Sequence, residues 1–284
     1  MYDGRPHDGG GGVKTLEYTF DTEIEFSGKV REHAFALRCL PRRGEGVTVL
    51  RESWEVKPTT RCSRQRDSFG NELVVGSARE PHDRIAYGSK GIVRIDLDAP
   101  APAGAAPLPC HPMFKYATPL TKADDALCTW ADALGLTPGA FAGNAGADAL
   151  AAFEELGRAV HACMAYEPGS TSVSTSAAEA FSARRGVCQD FSHIMLAVLR
   201  RAGIPARYVS GLAIGEGATH AWVQARIQDA WHGYDPTRDL RIDESYLPLA
   251  IGRDWSDCPV ERGSFWGLVD QTQTVFMTMK EVDA

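Results

Sequence analysis

The first third of the chain alternates between hydrophobic and polar positions, the pattern of β-strands that bury one face. The apolar positions of a long first strand, which starts near residue 13, are Leu16, Tyr18, Phe20, Ile24 and Phe26. Further alternating runs, separated by turn residues, predict strands at 30–40, 47–56, 72–79 and 91–97. Short strands with regular turns favour a β-sandwich, which we predict over residues 13–98.

The flanking segments have no such pattern. Residues 1–12 are rich in glycine and polar side chains, so we predict a flexible tail with little to bury. Residues 99–118 begin with APAPAGAAPLPCHP, a composition that favours a semi-rigid linker. The remaining residues, 119–284, are predicted to form a second domain.

In this second domain the hydrophobic period changes from helical to alternating. Apolar residues at helical spacing predict helices at 122–134, 148–165 and 188–202. The last of these helices should end at Gly203-Ile204-Pro205, because glycine accepts the left-handed C-cap and proline cannot continue a helix. Strands are predicted at 206–214, 220–228, 231–235 and 269–279. Helices followed by antiparallel strands indicate an α+β fold.

A cysteine stands at the start of the third predicted helix. The unpaired amides and the dipole of a helix N-terminus favour an anion, and a thiolate there is a potential nucleophile. Cys188 could instead be a buried structural thiol, which is common. Gly186 just before it and the polar Gln189-Asp190 pair just after it disfavour a dry core position, so we predict a nucleophile.

A histidine and an aspartate on a predicted hairpin supply possible partners for this thiol. If the loop between strands 220–228 and 231–235 holds two residues, His220 and Asp235 share a face and are offset diagonally by two or four residues. A three-residue loop would reverse this parity unless a bulge restored it. The sequence therefore permits a Cys188–His220–Asp235 relay.

Two other histidines are alternative bases. His193 lies five residues beyond Cys188, about 140° around the helix axis, and should point away from the thiol. His232 should lie on the strand face opposite Asp235. We therefore predict a structural role for His193 and no catalytic role for His232.

The surroundings of the predicted site leave more alternatives open. Asp190 could orient a group in the site, although capping the amides of its own helix is favoured. Trp222 shares the face of His220 and could line a substrate pocket or simply pack. We predict Trp222 and Gln189 as substrate-pocket residues.

Composition narrows the class of protein. The net charge of −7 argues against nucleic acid and anionic membrane surfaces as partners. No apolar run approaches a membrane span or a signal core, and the seven scattered cysteines form no CxxC pair, so we expect a cytoplasmic protein with reduced thiols. Cys110-His111 and the pair His161 and Cys163 lack the ligand spacing of a zinc site, so we predict no metal and no cofactor.

Three segments resemble the transglutaminase-like superfamily, which shares with papain a catalytic arrangement of Cys, His and Asp or Asn. They are GVCQDFSHIMLAVLRRAGIPARYVSGL, THAWVQA and WHGYDPT, and the resemblance extends to IGRDWSDCPVERGSFWG, so it covers roughly the second half of the chain. It implies a papain-like α+β core with Cys188 as nucleophile, His220 as general acid and base, and Asp235 as the residue that orients it. The predicted β-sandwich, which contains DSFGNELV, resembles the N-terminal β-region of bacterial members.

The resemblance also implies a reaction, namely acyl transfer on an amide of a peptide or protein through a thioester intermediate. Hydrolysis of a peptide or isopeptide bond is favoured, because water is always present. Transamidation and a non-catalytic binding scaffold remain as alternatives. The backbone N–H of Cys188 is one predicted oxyanion donor, and the second donor, the substrate and the oligomeric state stay open.

Overall fold

The computed structural model describes residues 12–58, 61–99, 110–141 and 146–283. The predicted tail up to residue 11 and the linker residues 100–109 lie outside the described residues. None of the helices in the described ranges has the length and apolar composition that crossing a membrane requires.

The described residues form fourteen strands and four α-helices. The strands are β1 (Lys14–Leu37), β2 (Val47–Lys57), β3 (Arg61–Arg66), β4 (Glu72–Ala78), β5 (His82–Ile95), β6 (Ala165–Tyr166), β7 (Arg185–Gly186), β8 (Ala206–Ala213), β9 (His220–Ile227), β10 (Ala230–Asp235), β11 (Leu240–Arg241), β12 (Tyr246–Gly252), β13 (Glu261–Trp266) and β14 (Gln271–Glu281). The helices are α1 (Asp125–Ala133), α2 (Ala147–Cys163), α3 (Ala177–Ala183) and α4 (Cys188–Arg201).

The N-terminal strands join one seven-stranded sheet, so the predicted β-sandwich is not confirmed. The strand order is β2-β5-β1-β4-β3, and β13 and β14 also pair with β1. The long first strand, predicted from about residue 13, and the strand predicted at 30–40 continue into each other. The resulting 24-residue β1 pairs with β5 and β14 in its first half and with β4 and β13 in its second. A strand of this length has room for four partner strands. The alternating pattern predicts that the segment is a strand, but it does not predict which strands pair with it.

The two C-terminal strands therefore lie in the N-terminal sheet. The strand predicted at 269–279 is present as β14, where Phe20 faces Met277 and Tyr18 faces Met279 across the ladder with β1. β13 and β12 follow no pattern that we recognised in the sequence. The proposed division into domains at 13–98 and 119–284 stays a prediction, and the chain returns to its first sheet before it ends.

The second half of the chain places its helices against a five-stranded antiparallel sheet, as the α+β prediction expects. The strand order is β11-β10-β9-β8-β12, and α4 packs against β8 and β9. Residues 189–200 are all buried, because the sheet covers one side of α4 and α1, α2 and α3 contact other sides. α4 is thus the central helix of this half rather than a surface helix with one apolar face.

The two sheets also pack on each other. Leu212 of β8 and Leu247 and Leu249 of β12 belong to the same buried cluster as the apolar residues of β1. The side chain of Asn71 holds the backbone of Ile251 from both sides, with hydrogen bonds of 2.8 Å. These contacts fix β8 and β12, and β8 in turn pairs with β9, the strand that carries His220.

Candidate active site

The start of α4 is built around a close contact between a glycine and a carboxylate. A Cβ atom on Gly186 would lie 2.5 Å from Oδ2 of Asp190, so this position needs glycine. The same oxygen accepts hydrogen bonds of 2.7 Å from the backbone N–H of Val187 and from Oγ1 of Thr171. Asp190 therefore caps the start of its own helix, which was the favoured prediction, and it holds Cys188 at the first helical position.

Asp190 is itself buried, and only one of its oxygens is satisfied. Within the described part of the chain, Oδ1 has no hydrogen-bond partner. Burial raises the pKa of Asp190, and the hydrogen bonds from Thr171 and Val187 oppose that rise. The carboxylate that supports the nucleophile helix is thus held by two donors on one oxygen.

The predicted hairpin has a two-residue loop. Ile227 pairs with Ala230, and the loop residues Gln228 and Asp229 have positive φ angles of 50° and 61°, as a type I′ turn requires. This is the loop length for which the sequence predicts that His220 and Asp235 share a face, and the strand register agrees. His220 is the first residue of β9, and Asp235 lies diagonally across from it on β10.

The His220 and Asp235 side chains meet at that end of the sheet. Nε2 of His220 lies 2.7 Å from Oδ2 of Asp235, and the two residues are 5% and 0% exposed. The other oxygen, Oδ1, accepts from the backbone N–H groups of Thr237 at 2.9 Å and Arg238 at 3.2 Å. Tyr246 donates its hydroxyl to Oδ2 at 2.9 Å. All four contacts orient a carboxylate that has no access to solvent.

These contacts shift the pKa of both members of the pair. Burial raises the pKa of Asp235, but the hydrogen bond and charge of His220, the Tyr246 hydroxyl and the Arg238 amide outweigh it, and the net shift is downward. Burial lowers the pKa of His220, while Asp235 and the Cys188 side chain raise it, to about 10. Because Asp235 occupies Nε2, Nδ1 is the ring nitrogen left for the half-buried thiol of Cys188.

An arginine and a glutamate join this group from neighbouring loops. The guanidinium of Arg238 lies 3.9 Å from Oδ2 of Asp235 and donates to Oε1 of Glu216 at 2.6 Å. Glu216 belongs to the loop that leads into β9 and thus to His220. This ion pair ties together the loops that flank His220 and Asp235.

Sequence reasoning missed Tyr246, Arg238 and Glu216. Arg238 follows Asp235 by three residues, and that short spacing was the one available signal. Tyr246 begins β12, a strand without alternating pattern, and only the sheet order brings it to Asp235.

The two predicted pocket residues are both buried. Trp222 is 1% exposed, and its ring packs edge-on against Tyr246 with ring centroids 5.3 Å apart. Gln189 uses its side-chain amide to donate to the carbonyl of Val173 at 3.3 Å. Trp222 thus packs against the tyrosine that bonds Asp235, and Gln189 contacts the loop before α3. A substrate contact for either residue stays a prediction.

Other histidines have structural partners. His193 is completely buried, accepts from the backbone N–H of Trp255 at 3.2 Å, and has a pKa lowered to about 4 by burial. His161 on α2 donates to carbonyls of the loop that follows Asp235, at 3.1 Å from Thr237 and 3.2 Å from Pro236. Within the described ranges, no three potential metal-ligating side chains come together.

Comparison with known proteins places this geometry in context. Residues 140–236 match the family model described as transglutaminase-like superfamily, and residues 16–94 match that of the bacterial transglutaminase-like N-terminal region. An uncharacterized protein of Mycobacterium leprae is 32% identical over 247 residues, 81% of this chain and 85% of that protein. One from Mycobacterium tuberculosis is 31% identical over 227 residues, 71% of each chain.

Among solved structures, a candidate cysteine protease from Cytophaga hutchinsonii has a similar fold. The TM-score is 0.76 at 22% identity, and the match covers 96% of this chain and 92% of that one. The likeness extends across both sheets, so the two halves of the chain occur together in that structure as well.

Proposed function

Because this chain belongs to the transglutaminase-like superfamily, we propose that it catalyses acyl transfer on an amide of a peptide or protein through a thioester on Cys188. Family membership supports cysteine-based catalysis in general. The finer assignment rests on one observation, the buried His220–Asp235 pair, in which His220 has a pKa of about 10 and interacts with the Cys188 side chain.

In the first half-reaction, Nδ1 of His220 takes the thiol proton and the thiolate of Cys188 attacks the amide carbonyl. Cys188 is the first residue of α4, where backbone N–H groups have no partner within the helix, so its own N–H is suited to the developing oxyanion. The imidazolium then protonates the leaving amine as the C–N bond breaks, and a thioester remains. Asp235 holds the ring and stabilises the imidazolium throughout.

In the second half-reaction, an acceptor attacks the thioester while His220 removes its proton, and the thiolate leaves. Water as acceptor releases a carboxylic acid, and we favour this hydrolysis because water reaches any open site. An amine as acceptor would give transamidation, and the same three residues serve both outcomes. We place the activity in the cytoplasm as part of the proposal, on the cysteine pattern of the sequence.

The experiment is alkylation by iodoacetamide near neutral pH, followed by peptide mapping. Cys188 should react well ahead of the other six cysteines, of which Cys39 and Cys258 are buried. His220→Ala should remove this advantage, and Cys128→Ala is the matched control that should keep it. Uniform labelling, or preference for Cys62 or Cys110, would overturn the proposal.

Mass spectrometry of a glutamine-containing peptide incubated with the enzyme, with and without a primary amine, then separates the outcomes. Cleavage or conversion of glutamine to glutamate indicates water as acceptor, whereas an amine adduct indicates transamidation. A protein that binds the peptide and leaves it unchanged would support the non-catalytic scaffold, and Cys188→Ala is the control for background reaction.

A further inference from the structure

Residues 165–173 wrap around the start of the nucleophile helix, and we call this segment the collar. Its first part is held by backbone hydrogen bonds. The N–H of Ala165 donates to the carbonyl of Arg184 at 2.8 Å, and the N–H of Glu167 donates to that of Gly186 at 2.9 Å. β6 and β7 thus form a short parallel ladder in which Tyr166 pairs with Gly186, two residues before Cys188.

The far part of the collar is held by side chains of α4. Oγ1 of Thr171 donates to Asp190 at 2.7 Å, and the carbonyl of Val173 accepts from Gln189 at 3.3 Å. Both anchors lie within two residues of Cys188. The collar is therefore tethered on either side of the nucleophile and has little freedom to move relative to it.

Two large apolar side chains on this tethered segment stay exposed. Tyr166 is 57% exposed and Val173 is 53% exposed, although the backbone of each is held. Loops that a rigid scaffold positions beside a nucleophile often contact the substrate, and these two apolar side chains are accessible to one. The tethers remove the ordering cost that a mobile loop would have on binding.

The position of Tyr166 in the chain supports this interpretation. Burial raises the pKa of Tyr166, and the charges of Cys188 and Glu216 raise it further. The backbone geometry agrees, because β6 pairs Tyr166 with Gly186, two residues before the nucleophile.

Most polar side chains around the collar are engaged, and the exposed carboxylate of Glu167 has Arg185 as its partner at 3.5 Å. Thr171 bonds Asp190, Gln189 bonds the collar backbone, and Glu216 pairs with Arg238 at 2.6 Å. What the collar offers a ligand is thus chiefly the ring of Tyr166 and the methyl groups of Val173. Such a surface fits an uncharged apolar side chain better than a charged one.

We propose that Tyr166 and Val173 form a subsite for an apolar side chain on the residue next to the reacting amide, so that the preferred substrate is a peptide with an aliphatic or aromatic neighbour at that position. This inference rests on the proposed function. The subsite selects the side chain next to the reacting amide, and either water or an amine can still be the acyl acceptor.

The test compares blocked tripeptides with glutamine at the centre and leucine, alanine or aspartate on its N-terminal or its C-terminal side. In one of the two series, wild type should favour leucine over alanine in kcat/KM by on the order of 10-fold, with aspartate poorer still. Tyr166→Ala and Val173→Ala should each bring the leucine-to-alanine ratio toward one. Tyr116→Ala, which removes another exposed aromatic ring outside the collar, should leave the ratio unchanged.

Binding of the same peptides to Cys188→Ala, measured by calorimetry, gives a readout that needs no turnover. The same preference should appear in Kd and should disappear in the double variant with Tyr166→Ala. Equal affinities for all three peptides in both series, or a preference that survives both collar substitutions, would overturn the subsite. Failure of the proposed function looks different, because an activated ester would then fail to acylate wild-type Cys188 while the binding preference persisted.

Discussion

The hydroxyl of Tyr246 donates a 2.9 Å hydrogen bond to Oδ2 of Asp235, the same oxygen that lies 2.7 Å from Nε2 of His220. Burial raises the pKa of Tyr246 and the charge of Asp235 raises it further, so the phenol remains a donor. Trp222 packs against its ring and holds it in place. Three strands, β9, β10 and β12, thus each contribute one member of this hydrogen-bonded group.

Tyr246→Phe should slow acylation of Cys188 while the protein stays folded. The substitution removes one of the four donors that hold the Asp235 carboxylate, and a hydrogen bond to a charged group contributes about 1.5–3 kcal/mol. We expect the single-turnover rate to fall by on the order of 10-fold, because the imidazole is held less firmly. Tyr234→Phe, which removes a 2.6 Å bond to Asp239 outside the group, is the matched control and should acylate as wild type does. Equal rates in both variants would contradict the prediction.

Asp235→Asn should cost more than Tyr246→Phe, because it changes the tautomer of His220. The backbone amides of Thr237 and Arg238 require an acceptor at the first oxygen position, so the new NH2 group must face Nε2 of His220. The ring proton then moves to Nδ1, where the thiol proton should be accepted. In the serine-protease template this change costs about 10⁴ in rate, and we expect on the order of 10²–10³ here, because a cysteine is more acidic than a serine. Single-turnover acylation with a chromogenic ester measures it, and a normal rate would argue against the tautomer mechanism.

The stability of the protein should fall as the pH rises from about 6.5 to about 10, and His220 should account for part of that fall. Its pKa is raised from 6.5 to about 10 in the folded state. The folded protein therefore holds a proton that the unfolded chain releases, and the stabilisation is fully present below pH 6.5 and lost as the pH approaches 10. Urea unfolding across this interval should show a shallower fall for His220→Gln than for wild type. The exposed His111 provides the control, His111→Gln, which should keep the wild-type slope, and parallel curves for all three proteins would refute the assignment.

Gly186→Ala should displace the Cys188 thiol, although Cys188 itself is unchanged. The new Cβ would lie 2.5 Å from Oδ2 and 2.7 Å from Cβ of Asp190, so the helix start, the collar or both must shift. We expect a loss of roughly 1–3 kcal/mol in the free energy of unfolding, in the range of an overpacked site, and a marked drop in Cys188 labelling. Gly217→Ala is the control, since a Cβ there meets nothing within 4 Å. Wild-type labelling in Gly186→Ala would show that Asp190 does not set the position of the thiol.

Much of the site follows from local sequence. The glycine before Cys188 and the Gly-Ile-Pro stop after the helix are local signals, and α4 spans Cys188–Arg201 between them. The period-two pattern and the short loop at Gln228 and Asp229 put His220 and Asp235 on one face, because parity in a hairpin depends only on loop length. The helices at 125–133 and 147–163 likewise follow from their period.

Features that depend on pairing between distant segments could not be predicted from local sequence. The sequence contains alternating strands at both ends of the chain, but only the fold shows that β13 and β14 join β1 in one sheet, because strand pairing has no local periodic signature. For the same reason Tyr246, Arg238 and Glu216 were missed, and Trp222, which shares the face of His220, turned out to be fully covered. Local propensity and parity determined which residues can act together, whereas the burial of Asp235, the donors around it and the collar around Cys188 depend on long-range packing, which only the tertiary structure decided.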